Sequence, residues 1–103
     1  MTKKDWLNLY EKLNAIYYEF IIAYSDYQNG KNDKVRRDGN DKSHIYIDKA
    51  ISILSSNEEC YRLIFNNQEF NSLRESIILE DFKKPQYFDK DMNFILEKIH
   101  QLT

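Results

Sequence analysis

Glycine and proline are scarce in this chain, which has two glycines and one proline among 103 residues. A β-sandwich or β-barrel needs many tight turns, and glycine and proline form a large share of them. A glycine-rich phosphate-binding loop is excluded over most of the chain for the same reason. The composition therefore favours an all-α protein, and the length is typical of one domain.

Cysteine is nearly absent, and the chain has no long apolar run and no strong excess of one charge. Cys60 is the only cysteine, so no disulfide forms within the chain. The longest uncharged apolar run, from Phe20 to Tyr24, is far shorter than the roughly 20 residues of a membrane-spanning helix. A net charge of −2 is too balanced for a dedicated nucleic-acid or membrane-surface protein. With no secretion signal at its start, we expect a cytoplasmic protein.

What the chain has instead is apolar helical periodicity, most clearly in residues 5 to 28. Leu7, Tyr18 and Ile22 lie opposite the main apolar seam, where a helix with a single buried face carries charge. This helix is therefore either the central helix of its bundle or presents a second face to a partner. The main seam recurs at spacings of three and four: Trp6, Leu9, Leu13, Ile16, Phe20, Ala23 and Tyr27.

Both glycines lie in residues 29 to 43, a polar segment in which Val35 is the only clearly apolar residue. We predict a flexible basic loop there, with Asn29 and Gly30 forming a left-handed end to the first helix. The predicted fold is an all-α bundle of four or five helices built on the long N-terminal helix, in a single domain of residues 1–103.

The later helices are predicted to be much shorter than the first. The second is expected from Ser43 to about Ser55, and the third from a capping box at Ser56 to about Asn66. A second cap at Asn66 starts the fourth, which continues to about Phe82. Pro85 is expected to end that helix, and the fifth begins after Asp89, with one inward face: Met92, Ile95, Leu96, Ile99 and Leu102.

Arg37 and His44 form the pattern most similar to a catalytic motif. Arg37, the polar Asp38 and the following histidine resemble the Arg-x4–6-His signature of HEPN ribonucleases, small helical domains that cleave RNA at a dimer interface. The resemblance implies a ribonuclease, or an inactive relative, with Arg37 and His44 as its catalytic residues. In that family the motif lies on a helix, whereas the composition here predicts a loop. We therefore keep this as an alternative and expect a protein that is not an enzyme.

The basic residues of the predicted loop are an alternative contact with nucleic-acid phosphates. Three aspartates are interleaved with them, and the loop has no aromatic residue that stacks on bases, which favours a solvated loop. His44, His100 and Cys60 are too far apart in sequence to indicate a metal site, and we expect no metal or other cofactor. The basic residues are Lys31, Lys34, Arg36, Arg37 and Lys42.

Aromatic residues are abundant, with eight tyrosines, six phenylalanines and one tryptophan. Tyrosine is enriched at binding hot spots, because it combines apolar area with a polar tip. Residues 44–103 carry a net charge of −3, which suits contact with a basic surface. We predict that the partner-binding residues are Tyr18, Ile22, Glu75, Glu80 and Asp81.

These features favour a non-enzymatic protein that inhibits another protein by occupying its surface. Frequent Ile, Asn and Lys with rare Gly, Ala and Pro indicate AT-rich coding, as in some bacteria and their phages. In size, tyrosine content and lack of catalytic motifs, the chain resembles phage and mobile-element inhibitors of the anti-CRISPR type. That resemblance implies a nucleic-acid-handling defence effector as partner in a bacterial cytoplasm. The same features also suit a toxin-neutralising immunity protein or antitoxin, and a self-associating bundle such as a homodimer.

Overall fold

The computed structural model describes residues 2–78 and 80–103, and these residues are helical apart from short connections. They form five α-helices and one 3₁₀ turn: α1 (Lys3–Asn29), α2 (Asp33–Ser56), α3 (Glu58–Ile64), α4 (Asn67–Ile78), the 3₁₀ turn (Asp81–Lys83) and α5 (Pro85–His100). No β-strand occurs among the described residues, and the predicted all-α bundle of four to five helices is confirmed. None of the helices in this part of the chain combines the length and the hydropathy needed to cross a membrane.

The first helix, α1, begins at a capping box and ends differently from the prediction. Thr2 caps it, because its Oγ1 accepts a hydrogen bond from the Asp5 N–H (3.2 Å) while the Asp5 carboxylate accepts one from the Thr2 N–H (3.0 Å). After Asn29, Gly30 is extended with φ −60° and ψ 147°, so the predicted left-handed end is wrong. Glycine provides space there, since a Cβ would lie 2.5 Å from the Asp26 carbonyl oxygen.

The predicted flexible loop at residues 29–43 is wrong, because α2 occupies most of that segment. Asn32 starts the helix by accepting a hydrogen bond from the Val35 N–H at 2.9 Å. With 24 residues, α2 is nearly as long as the 27 residues of α1, so the expectation of one long helix among much shorter ones is also wrong. The N-terminal half of the fold is therefore a hairpin of two long helices.

Gly39 explains why the composition of this segment is misleading. A Cβ at this position would lie 2.6 Å from both the Ala23 carbonyl oxygen and the Tyr27 nitrogen of α1. One turn later, the fully buried Ser43 donates its hydroxyl to the Gly39 carbonyl oxygen at 2.7 Å. In the N-terminal half of α2, the face that packs on α1 is thus marked by small size rather than by apolarity, and the charged residues lie on the other faces. In the C-terminal half the same face is apolar, with Ile47 and Leu54 buried.

Two boundaries in the C-terminal half also differ from the prediction. The helix α4 stops at Ile78 rather than continuing to about Phe82, and Leu79 lies outside the described residues. Glu80 is left-handed (φ 63°), and Phe82 is buried in the 3₁₀ turn that follows. Pro85 begins α5 instead of only ending the preceding helix, because the N–H that proline lacks has no partner in a first helical turn.

One of the two caps predicted between α2 and α4 is confirmed. At the start of α4, the Asn66 side chain accepts from the Glu69 N–H at 2.8 Å, and Glu69 accepts from the Asn66 N–H at 3.0 Å. At the start of α3, the predicted capping box is wrong. The Ser56 hydroxyl, the predicted cap, instead donates to the Ser52 carbonyl oxygen at 2.9 Å within α2. The Asn57 side chain likewise donates backwards, to the Ile53 carbonyl oxygen at 2.7 Å, and caps no N–H of α3.

The core forms where α1 packs against both α2 and α5. Antiparallel packing on α5 brings the Tyr10 ring to 5.1 Å from the His100 ring, and Phe20 to 4.6 Å from Phe88. The predicted seam of α1 is confirmed at its centre, where Leu13 and Phe20 are fully buried. It fails near the end of the helix, where Tyr27 is exposed.

The predicted inward face of α5 is confirmed for the four residues within the helix and wrong for the fifth. Leu102 is exposed, because it follows the end of α5 at His100. The other four residues are buried: Met92, Ile95, Leu96 and Ile99.

Candidate functional site

The middle of α1 carries an exposed face without a single charged residue. We call this surface the outer face, and it extends over three helical turns, about 16 Å. Tyr18 is its most prominent member, with 63% of its surface exposed, and Ile21 and Ile22 are 44% and 46% exposed. The complete set is Asn14, Ala15, Tyr18, Ile21, Ile22 and Ser25.

Helical geometry explains the outer face. Leu13 and Phe20 point into the core, and at about 100° per residue Tyr18 and Ile22 fall on the opposite side of α1. Leu7, 42% exposed, lies on the same side of α1 nearer the N-terminus, separated from the outer face by the charged Glu11. The helix that is apolar around most of its circumference thus buries one side and leaves the other open to solvent, where a monomeric helix normally carries charge.

The border of the outer face is mainly acidic. Glu11, Glu19 and Asp26 lie next to it and are exposed, and Lys12 is the one basic residue among these neighbours. An apolar centre with a charged rim is the usual composition of a protein-binding surface. The charge of this rim favours a partner with basic residues around an apolar contact area.

The acidic residues predicted to bind the partner do not lie on the same helix as Tyr18 and Ile22. Glu75 is exposed on α4, and Glu80 and Asp81 follow that helix. Lysines of the same turn already pair with two of them: Lys83 lies 3.6 Å from Glu80, and Lys84 donates to Asp81 at 3.1 Å. Exposed pairs of this kind contribute little to stability, but they lower the charge available to a partner.

The structure places Arg37 and His44 on the same helix, α2, which corrects the predicted loop position of Arg37; His44 is already predicted at the start of the second helix. Both side chains are exposed, and a spacing of seven residues puts them two turns apart on the same face, about 10 Å along the axis. Asp41 and Asp48 lie on the same side of the helix, close to this pair. The helical placement matches the context of the HEPN motif, which the sequence prediction did not provide.

The remaining basic residues of the predicted loop do not converge on one surface. Lys31 precedes α2, and the Arg36 guanidinium bonds the Gly30 carbonyl oxygen (2.8 Å) and the Asp33 carboxylate. Lys42 points about 140° away from Arg37 around the helix, whereas Lys34, three residues before Arg37, lies only about 60° from it. A continuous phosphate-binding surface would need these cations on one side, so the helix disfavours the nucleic-acid alternative.

A groove of about 520 Å³ between α4 and α5 is not predicted by the sequence. Tyr87 and Phe94 stand on its α5 side, 47% and 42% exposed, and Asp91 lies between them on the same face. Burial raises the pKa of Asp91 above its ordinary value of 3.8, against smaller lowering effects of the Ser76 hydroxyl and the Lys90 charge. The spacing of these residues, i, i+4 and i+7, is the signal that reveals the groove once α5 is known to begin at Pro85.

Neither a metal-binding cluster nor a comparison with known proteins points to further candidate residues in the described part of the chain. Within residues 2–78 and 80–103, no three His, Cys, Asp or Glu side chains come together in a way that would hold a metal ion. Comparisons of the chain with protein-family models, with curated proteins and with solved structures gave no match.

Proposed function

We propose that this protein acts without catalysis, by binding another protein through the outer face of α1 and blocking the surface that it covers. The observation that carries the proposal is that the six residues of the outer face, between Asn14 and Ser25 on one side of α1, are all uncharged and exposed. Leaving Tyr18, Ile21 and Ile22 in water forgoes the free energy of burying them, roughly 25 cal/mol for each Å² of apolar area. A partner that covers them recovers that free energy on binding.

The chemistry of the outer face defines the kind of partner. Tyr18 provides a rigid aromatic anchor of the type that dominates binding energy, and Ile21 and Ile22 fill an apolar contact area beside it. The rim residues Glu11, Glu19 and Asp26 favour a protein whose apolar patch is bordered by lysine or arginine. A second copy of this chain fits less well, because antiparallel pairing of two α1 helices would place acidic rims against each other.

The finer proposal is that the partner is a nucleic-acid-handling effector of bacterial defence, as in the resemblance to anti-CRISPR inhibitors. The net charge of −3 over residues 44–103 and the AT-rich composition support it. A toxin is the alternative partner of the same chemistry, because many toxins also act on nucleic acids through basic surfaces. Genomic neighbours separate the two, since phage genes favour the inhibitor and an adjacent toxin gene favours the antitoxin.

A pull-down from a lysate of the native host tests the proposal. The bait is the intact chain, compared with a double variant, Tyr18→Arg with Ile22→Arg, that places two positive charges on the outer face. The matched control is Ile45→Arg, which alters an apolar side chain of similar exposure (52%) on α2. We expect one protein to be captured by the wild type and by Ile45→Arg and lost from the double variant. Capture that is indifferent to the double variant would refute the role of the outer face.

The HEPN-like ribonuclease is the second candidate, and the helical placement of Arg37 and His44 favours it. Their shared exposed face on α2 is available to RNA, or to a second copy that completes a site. The test incubates the pure protein with labelled single-stranded RNA in EDTA. Cleavage that is lost in both Arg37→Ala and His44→Ala would replace the binding proposal with an enzyme. Intact RNA would exclude this candidate for the protein on its own.

A further inference from the structure

The groove between α4 and α5 has flat aromatic walls. Phe94 stacks on the buried Phe65 ring, with centroids 5.5 Å apart and 11° between the planes, and Tyr87 forms the other end. Lysine ammonium groups already lie near both exposed rings: Lys84 is 5.6 Å from the Tyr87 centroid and Lys98 is 5.5 Å from that of Phe94. These rings therefore stand in positions where a positive charge is favourable.

The acidic groups of the groove differ in what balances their charge. Glu69 lies 3.7 Å from Lys98, and Asp81 accepts a hydrogen bond from Lys84. Asp91, between the two rings, is half-buried, and within the described residues its side chain accepts only from the Ser76 hydroxyl, at 3.5 Å.

Lys90 lines the same groove without forming an ion pair with Asp91 among the described residues. In the part of the chain that the structure describes, the groove thus holds a partly desolvated carboxylate with no cation within ion-pair distance. Burial raises the pKa of Asp91, and the nearby Lys90 charge offsets this only in part.

We infer that this groove receives an arginine side chain of the partner, with the guanidinium on the Asp91 carboxylate and against the rings of Tyr87 and Phe94. The inference rests on the proposed function, and it gives the partner's basic rim a defined contact. A guanidinium is planar, so it stacks on an aromatic ring while its paired N–H groups meet both oxygens of a carboxylate. A lysine ammonium makes neither contact as well. The volume of about 520 Å³ leaves room for the neighbouring side chains of a peptide.

A peptide titration followed by ¹H–¹⁵N NMR tests this inference without knowledge of the partner. The probe is acetyl-Leu-Arg-Leu-amide, and the matched control contains citrulline, a neutral isostere of arginine. We expect saturable shifts at the amides of Asp91 and Phe94, with affinity about tenfold higher for the arginine peptide, as a charged hydrogen bond provides. Acetyl-Leu-Lys-Leu-amide should bind more weakly than the arginine peptide.

Variants of α5 separate the groove from general charge attraction. Asp91→Asn keeps the shape of the side chain and should remove the preference for arginine over citrulline. Glu97→Gln, an exposed position on another face of α5, should leave that preference intact. Equal binding of the arginine and citrulline peptides, tighter binding of the lysine peptide, or an unchanged preference in Asp91→Asn would overturn the inference.

Failure of this titration is distinguishable from failure of the proposed function. A pull-down that depends on Tyr18 and Ile22, combined with an unselective groove, would leave the outer face as the binding surface and remove only the arginine contact. If the groove prefers the arginine peptide but the outer-face double variant still captures the partner, the arginine contact would stand and the outer face would be removed as the binding surface.

Discussion

The two neighbours of α1 pack against it in opposite ways. Against the N-terminal half of α2, the contact is made by small residues, and the backbones come so close that Gly39 has no room for a Cβ beside Ala23. Against α5, it is made by large rings, with Phe20 edge-on to Phe88 and Phe88 edge-on to Phe82. The first interface depends on the absence of side-chain volume and the second on its presence. They should therefore respond in opposite directions to changes in side-chain size.

The largest loss of stability is expected at the aromatic interface. Phe20 is fully buried, and Phe20→Ala removes a ring that contacts α5, which should lower the free energy of unfolding by about 3–5 kcal/mol. Urea unfolding followed by circular dichroism measures the change. Tyr18→Ala, on the outer face of the same helix, is the control and should stay within about 0.5 kcal/mol of the wild type. A loss at Tyr18 as large as that at Phe20 would mean that the outer face is part of the core.

The next largest loss of stability is expected at the small-residue interface, where enlarging a side chain, rather than truncating one, should destabilise the fold. Glycine to alanine in a helix normally stabilises by up to about 1 kcal/mol. Gly39→Ala should instead destabilise by about 1–3 kcal/mol, because the new Cβ meets backbone atoms of α1 that cannot move aside. Asp38→Ala, an exposed neighbour, should be neutral or slightly stabilising in the same unfolding experiment. Stabilisation by Gly39→Ala would contradict the close approach of the two helices.

A smaller effect is expected where a polar contact supports the aromatic interface. The Tyr17 hydroxyl donates to the Asp89 carboxylate at 2.6 Å, so Tyr17→Phe should cost about 1–2 kcal/mol at neutral pH. Burial and the bond to the carboxylate raise the pKa of Tyr17 to about 12, from 10.0.

The sign of the resulting pH dependence is fixed by that shift. A raised pKa means that the folded state favours the neutral phenol, so the contribution is complete below pH 10 and is lost as the pH approaches 12. The difference between wild type and Tyr17→Phe should shrink over that range. A difference that grows with pH would contradict the assignment.

The smallest effect is at the groove, which belongs to neither interface. The pKa of Asp91 is raised, so the folded state favours its protonated form, and the wild type loses stability as the pH rises from 3.8 through the raised pKa. The asparagine side chain in Asp91→Asn cannot ionise, so this variant does not lose stability in that way as the pH rises. Its stability relative to the wild type should therefore increase with pH in urea unfolding between about pH 3 and pH 7. A relative stability that falls with pH would show that Asp91 is stabilised as a carboxylate by the fold itself.

The aromatic interface could be predicted from the sequence, whereas the small-residue interface could not. Phe20 and Ile99 belong to apolar patterns with a helical period, and such patterns identify the buried face directly. Gly39 and Ser43 face α1 at a helical spacing too, but glycine and serine are also typical of loops. Only the position of the neighbouring α1 backbone shows whether these residues form a loop or a close contact between helices, and that position depends on the tertiary structure.

Of the candidate surfaces, too, one could be predicted in part from the sequence and the others could not. The sequence places Tyr18 and Ile22 opposite a strong seam and leaves open whether that side is buried in the bundle or presented to a partner. In the structure both side chains are exposed to solvent. The sequence does not reveal the groove at Asp91. Pro85 is predicted to end the fourth helix and the fifth helix is predicted to begin only after Asp89, so Tyr87 is not predicted to lie on the same helix as Asp91 and Phe94. Arg37 is predicted in a loop because its segment is polar and contains both glycines, whereas His44 is predicted at the start of the second helix. That the two residues share one helix becomes evident only with the close backbone of α1.

Site-specific photo-crosslinking in the native host tests the central claim most directly, namely that the outer face of α1 contacts the partner. Benzoylphenylalanine replaces Tyr18 in one sample and Ile45 on α2 in another, since both positions are exposed and accept a large side chain. We predict that irradiation links one host protein to position 18 and not to position 45. A crosslink at position 45 alone, or a product at position 18 that contains only a second copy of this chain, would contradict the account.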